Sequence, residues 1–149
     1  MPTAAGVPPP TLLYVIKQVE LAVRARLDEI LRPVGLTVSQ YTALTVLERH
    51  PNLTSAQLAR NSFVTAQTMA DMVVILCERG LIDRHRDSAD RRRLVLALTA
   101  QGRKRLKVYR GKVADLEAEM VAPLTEHQAA QLRASLSACR GALADDPPH

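Results

Sequence analysis

Twelve of the twenty basic side chains fall between Arg79 and Lys112, where only Asp83, Asp87 and Asp90 oppose them. The stretch carries a net +9 and the rest of the chain −4. Arg91, Arg92 and Arg93 are consecutive, with Arg84 and Arg86 a few residues earlier. Guanidinium groups at this density bind phosphate or carboxylate oxygens through charge-assisted, often two-pronged hydrogen bonds. A cationic segment on a mildly acidic body predicts one located contact with an anionic partner. Asp90, two residues before Arg92, is placed to orient that guanidinium by a forked hydrogen bond.

Other chemistries find few residues to use. His50, His85, His127 and His149 form no HxxxH or Cys-His cluster, so no metal site is expected. Cys77 and Cys139 lack a CxxC partner and are expected to be reduced packing residues; an oxidant sensor using Cys77 or Cys139 is the alternative. No nucleophile elbow, phosphate loop or paired catalytic motif is present, so neither an enzyme nor a cofactor is expected. Aromatics make up 3% of the chain (Tyr14, Tyr41, Tyr109 and Phe63, with no Trp), which argues against base stacking on a row of rings. The longest strongly apolar run, Met72 to Cys77, is too short for a bilayer, and the N-terminus lacks a basic start followed by an apolar stretch. A cytoplasmic protein without membrane contact is expected.

The elements that carry these side chains can be read from caps and periodicity. At 149 residues and 47% hydrophobic content, one domain spanning 1–149 is expected. Thr11 caps a helix with Leu12, Ile16, Val19, Val23, Leu27 and Ile30 on one stripe, ended by Arg32-Pro33-Val34-Gly35. Ser39 is expected to cap a second helix carrying Tyr41, Leu44 and Leu47. Thr54-Ser55-Ala56-Gln57 is a capping box opening a short helix with Leu58 and Ala59. After a tight turn at Asn61 to Val64, Thr65 caps a longer helix whose stripe is Met69, Met72, Val73 and Leu76, closed by Gly80. Val74 and Ile75 beside that stripe predict burial on a second side. Short helix, turn, longer helix is the helix-turn-helix arrangement.

Leu81–Arg86 and Leu94–Leu98 then alternate with period two and predict a hairpin, joined through Asp87 to Arg93. Thr99 opens a helix bearing Leu106, Tyr109, Val113, Leu116 and Met120, broken at Ala122-Pro123. A box at Thr125–Gln128 opens a last helix with Leu132, Leu136, Cys139 and Leu143. The expected fold is mainly α with a small two-stranded β-wing: a winged helix-turn-helix lobe (38–98), a helical dimerisation region (11–32 and 99–145), and loose tails at 1–10 and 145–149.

In that fold Thr65, Ala66, Gln67, Thr68 and Asp71 occupy the exposed start of the longer helix. There Gln67 can pair with adenine through two hydrogen bonds, and Asp71 would repel phosphate unless it accepts from a cytosine amino group or fixes an arginine. Ser39, Thr54 and Ser55 at the starts of the two supporting helices favour nearby phosphates. Arg84, Arg86, Asp90, Arg91, Arg92 and Arg93 make up the wing contribution.

Leu76, Gly80-Leu81-Ile82, Arg84, Asp90-Arg91-Arg92 and Leu98-Thr99 with Gly102, preceded by Gly35-Leu36-Thr37 with Gln40, Tyr41 and Leu44, resemble the MarR (multiple antibiotic resistance regulator) family over nearly the whole chain. The resemblance implies a transcriptional repressor that binds double-stranded DNA as a homodimer, held by the first helix and the last two. Each recognition helix would enter a major groove and each wing would flank it. Half-sites about one helical turn (roughly 34–36 Å) apart would make the operator near-palindromic. It also implies release by a small phenolic or anionic effector bound between dimer helices and DNA-binding lobe, with Tyr14, Arg24, Arg26 and Tyr41 as candidate lining residues. Asp71, Val74 and Ile75 depart from the basic or polar residues of many relatives. A winged helix used as a protein-interaction module is the alternative from another class.

Overall fold

The protein is described by a computed structural model over residues 6–144. Its elements run α1 (Leu12–Leu31), a 3-10 turn (Arg32–Val34), α2 (Val38–Arg49), α3 (Ser55–Asn61), α4 (Ala66–Glu78), β1 (Ile82–Arg86), β2 (Leu94–Leu98), α5 (Ala100–Val121) and α6 (Glu126–Leu143). Residues 6–10 are exposed and carry no helix or strand; the rest of the expected loose tails, 1–5 and 145–149, lies outside the described residues.

All six α-helices begin on a threonine. The hydroxyls of Thr11, Thr37, Thr54, Thr65, Thr99 and Thr125 each accept the backbone N–H three residues on, satisfying a donor that has no partner within the helix. For α2 this corrects the expected cap. Thr37, not Ser39, starts the helix, and Gln40 Oε1 accepts in return from Thr37 N–H at 3.1 Å. The reciprocal box satisfies two donors at once, which places Ser39 inside the first turn.

The core gathers Leu31 from the end of α1, Leu44 and Leu47 from α2, Leu58 from α3, Met69 and Leu76 from α4, and Leu81 and Ile82 behind them. The hairpin pairs Ile82 with Leu98 through Arg86 with Leu94. It begins one residue later than the period suggested because Leu81 N–H is used by Leu76 C=O to close α4. Leu53 adds a short antiparallel bridge to Leu96 that the sequence did not reveal. The start of α5 lies close against this junction: Thr99 Oγ1 donates to Gly80 C=O at 2.6 Å, and a Cβ on Gly102 would fall 2.2 Å from Leu81 O.

Two helical faces are left uncovered. Along α1, Leu12, Leu13, Val15, Ile16 and Val19 are exposed, and α6 buries none of its residues, with Leu132, Leu136 and Leu143 all open. Intramolecular packing therefore does not absorb the stripes on the first and last helices. Arg26 on α1 holds Glu119 on α5 by two hydrogen bonds of 2.9 and 2.7 Å.

One expectation for α4 is overturned. Val74 and Ile75 are 47% and 44% exposed, so the helix is buried on a single side. An open groove of about 330 Å³ lies between α4 and the hairpin, bordered by Ala70, Val74, Arg84 and Leu94.

Candidate nucleic-acid interface

The start of α4 is held in place by its own side chains. Thr65 Oγ1 accepts from Thr68 N–H at 3.1 Å and donates to Thr68 Oγ1 at 3.0 Å. Gln67 Nε2 donates to Asp71 Oδ1 at 3.2 Å, one turn along the same face. Thr65, Ala66, Gln67, Thr68 and Asp71 are all exposed, while Met69, Met72, Val73 and Leu76 face the core. The 3.6-residue period thus delivers one polar edge with hydrogen-bonding groups of both signs. Asp71 is engaged with Gln67 rather than with an arginine.

Of the residues at the supporting helix starts, the Thr54 hydroxyl is used by Gln57 N–H at 3.2 Å. Ser55 is half-buried and borders the groove between α4 and the hairpin, and Ser39 is half-buried in the first turn of α2.

The wing loop closes through Asp87 N–H to Arg93 C=O (2.9 Å) and Arg93 N–H to Asp90 C=O (3.0 Å). Arg92 donates from its backbone N–H and from Nε to the same oxygen of Asp90, at 3.1 and 3.3 Å. The expected fork is therefore absent. The Arg92 backbone N–H and Nε share a single oxygen, and the side chain is 92% exposed.

The three consecutive arginines divide. Arg91 and Arg92 project outward. Arg93 turns back, its Nη2 donating to Gln57 Oε1 at 3.3 Å and its Nη1 lying 3.9 Å from Asp87. Arg93 thereby ties the wing to the capping box of α3. Arg86 reaches across the hairpin to Arg92 C=O at 3.5 Å, and Arg84 is exposed beside the groove. His85 meets Asn52 Oδ1 at 2.9 Å, a second tie between ribbon and lobe.

Other cations of the +9 segment are also engaged. Arg79 donates to Gly35 C=O at 2.7 Å and Val34 C=O at 3.1 Å, and Arg110 to Glu48 at 2.7 and 2.5 Å. These long-range ties had no signal in local spacing.

Tyr14, Arg24, Arg26 and Tyr41 occupy different surroundings. Tyr14 is exposed near the start of α1, and Arg24 pairs with Glu20 on the same helix. Arg26, two residues on, projects from the opposite side of α1 and is held by Glu119. Tyr41 packs on the lobe core, where burial pushes its phenol above the ordinary value. No hydrogen bond or ion pair among the described residues joins any two of the four.

Among the described residues no helix is long and apolar enough to cross a membrane, and no group of three or more His, Cys, Asp or Glu could hold a metal ion.

A three-helix lobe with a capped, polar-edged α4 and an arginine-tipped hairpin defines a winged helix-turn-helix protein. The chain belongs to the MarR family, whose sequence model matches residues 34–93. It is 32% identical over 123 residues to the HTH-type transcriptional repressor Rv2887 of Mycobacterium tuberculosis, covering 83% of this chain and 88% of that one. The crystal structure of Rv2887 in complex with p-aminosalicylic acid superposes with a TM-score of 0.71 at 31% identity, over 85% of this chain and 96% of the other. The S. aureus MepR–DNA complex superposes with a TM-score of 0.78 at 25% identity, over 91% and 100% of the two chains.

Proposed function

We propose that this protein is a cytoplasmic, non-enzymatic transcriptional repressor that binds double-stranded DNA as a homodimer and is released by a small phenolic or anionic effector. The observation that carries the reading is the pairing of an exposed, capped first turn of α4 with outward Arg91 and Arg92 on a wing anchored to the same lobe. Residues 38–98 form the DNA-binding lobe; 11–32 and 99–145 form the dimerisation region.

In this reading Thr65, Gln67 and Thr68 meet base edges in the major groove, with Ala66 and Asp71 alongside. Arg84, Arg91 and Arg92 neutralise phosphates or enter the flanking minor groove, positioned by Asp90, Arg86 and Arg93. Ser39, Thr54 and Ser55 present helix starts to the backbone. The uncovered faces of α1 and α6 support the dimer, since two copies bury what one leaves open. Rv2887 is a repressor seen with p-aminosalicylic acid, which supports an effector of that chemistry here. Such a ligand lowers DNA affinity by its preference for a dimer whose recognition helices are wrongly spaced.

The test is a salt series of binding to the DNA upstream of the protein's own gene against random duplex, with and without p-aminosalicylic acid. A salt-dependent preference for the upstream DNA is expected; equal binding to both duplexes overturns the reading.

A further inference from the structure

Phe63, in the turn between α3 and α4, has φ +61° and is 79% exposed. A bulky side chain in the left-handed region is costly, and such conformations persist where the surroundings impose them. The imposition is visible in the hydrogen bonds. Val64 N–H closes on Ala59 C=O at 3.2 Å, the six-residue loop that ends a helix with a left-handed residue just beyond its cap.

The chain solves the same backbone problem a second time at the end of α4. There Leu81 N–H closes on Leu76 C=O at 3.0 Å around Gly80, φ +72°. Glycine meets the requirement without a Cβ penalty, so the phenylalanine is not chosen for the turn. Nor is it chosen for the core, because the neighbouring Val64 does the inward packing while the ring stays outside. An exposed ring on a strained backbone, two residues before the cap of the recognition helix, gains its contact from something that approaches α4 from outside.

We propose that Phe63 is an apolar DNA-contact residue whose ring packs on a thymine methyl at the wall of the groove that α4 enters. The inference rests on the DNA-binding reading above. The helix-turn-helix geometry directs the N-terminus of α4 into the groove, so the residues leading into it border the groove wall. At that wall the thymine C5 methyl is the apolar group that a phenylalanine ring recognises. The apolar surface suited to a second copy of the chain lies on α1 and α6, not on this turn.

The test uses the full-length protein and its upstream duplex, prepared with thymine or with deoxyuridine, which lacks only the methyl. Wild type, Phe63→Gly and Phe63→Leu are compared. Phe63→Gly should melt no lower than wild type, because glycine relieves the left-handed strain, yet bind the thymine duplex more weakly. Loss of one contacted methyl should cost wild type about fourfold in affinity, cost Phe63→Leu less, and leave Phe63→Gly unchanged. Phe63→Gly binding within about twofold of wild type overturns the proposal, as does indifference of wild type to the missing methyls or a change of oligomeric state in place of DNA affinity. Failure of wild type to prefer its upstream duplex overturns the DNA-binding reading itself, and is distinguished because it appears before any Phe63 variant is compared.

Discussion

Gln67 and Asp71 stand one helical turn apart on the outward edge of α4, with Gln67 Nε2 donating to Asp71 Oδ1 at 3.2 Å. The carboxylate therefore fixes the amide and, in the proposed interface, would leave Gln67 Oε1 and one N–H for a base edge while setting a negative charge where phosphates would approach. Asp71→Ala should tighten binding to random duplex by removing that repulsion, and should reduce the preference for the operator by freeing the amide. A misread base pair is worth roughly 1–3 kcal/mol, so the loss should be readable by fluorescence anisotropy against both duplexes. An unchanged ratio of the two affinities would show that Gln67 needs no anchor.

Arg92 and Arg93 are adjacent but differently employed. Arg92 is 92% exposed at the wing tip, whereas Arg93 bonds to Gln57. Arg92→Ala should reduce the slope of log affinity against log salt by about one, the signature of a lost phosphate contact. Arg93→Ala should change the slope less and instead loosen the wing, seen as faster amide exchange around Leu94 to Leu96. Equal slopes for the two variants would contradict the division of roles.

Gly102 has no room for a side chain, since a Cβ would lie 2.2 Å from Leu81 O and 3.2 Å from Leu98 Cδ2. Gly102→Ala must push α5 off the hairpin. Overpacking of this kind costs about 1–3 kcal/mol, and the clash is with backbone that cannot yield easily, against the roughly 1 kcal/mol that alanine gains over glycine elsewhere in a helix. A thermal melt should show a clear decrease, with Gly111→Ala, where a Cβ meets nothing within 4 Å, as the control that does not fall.

The Arg26 guanidinium beside Glu119 holds that carboxyl below its ordinary value of 4.5. Folding then favours the ionised carboxylate, so the pair contributes stability above pH 4.5 that fades as pH falls through the lowered folded value. Chemical denaturation at fixed protein concentration should show a smaller acid-side loss in Glu119→Gln than in wild type. Both partners are exposed, so added salt should shrink the difference. Identical pH profiles would mean the pair does not persist in solution.

Leu136 lies on the uncovered face of α6. Leu136→Glu places a charge where two copies would bury apolar surface, and should shift the sedimentation coefficient to that of a monomer while the chain stays helical. A dimer that survives the substitution would move the interface away from α6.

Helix starts were legible because a threonine followed three residues later by a backbone donor is a local device, and five of the six caps follow from spacing alone. The sixth was misplaced at Ser39 because the cap, Thr37, lies two residues closer to Gly35, where a loop was expected. The Gln67 and Asp71 pair was equally local, an i, i+4 contact on one face. By contrast, the bond from Arg93 to Gln57 and the pair of Arg26 with Glu119 join residues 36 and 93 positions apart, and only the packed fold brings them together. For the same reason the triple arginine read as one cationic unit. Val74 and Ile75 misled because apolar type was read as burial, whereas both lie on the exposed side of α4.

The two hydrogen bonds from Arg79 to Val34 and Gly35 carbonyls fasten the far end of α4 to the corner where α1 finishes, while Leu31 anchors that corner in the core. In the proposed dimer the recognition helix is thus bolted to the strut that would serve as its frame. In that dimer a few degrees of scissoring between two such struts would become ångströms of travel at the groove, so operator spacing would be metered at the seam between copies rather than within either lobe.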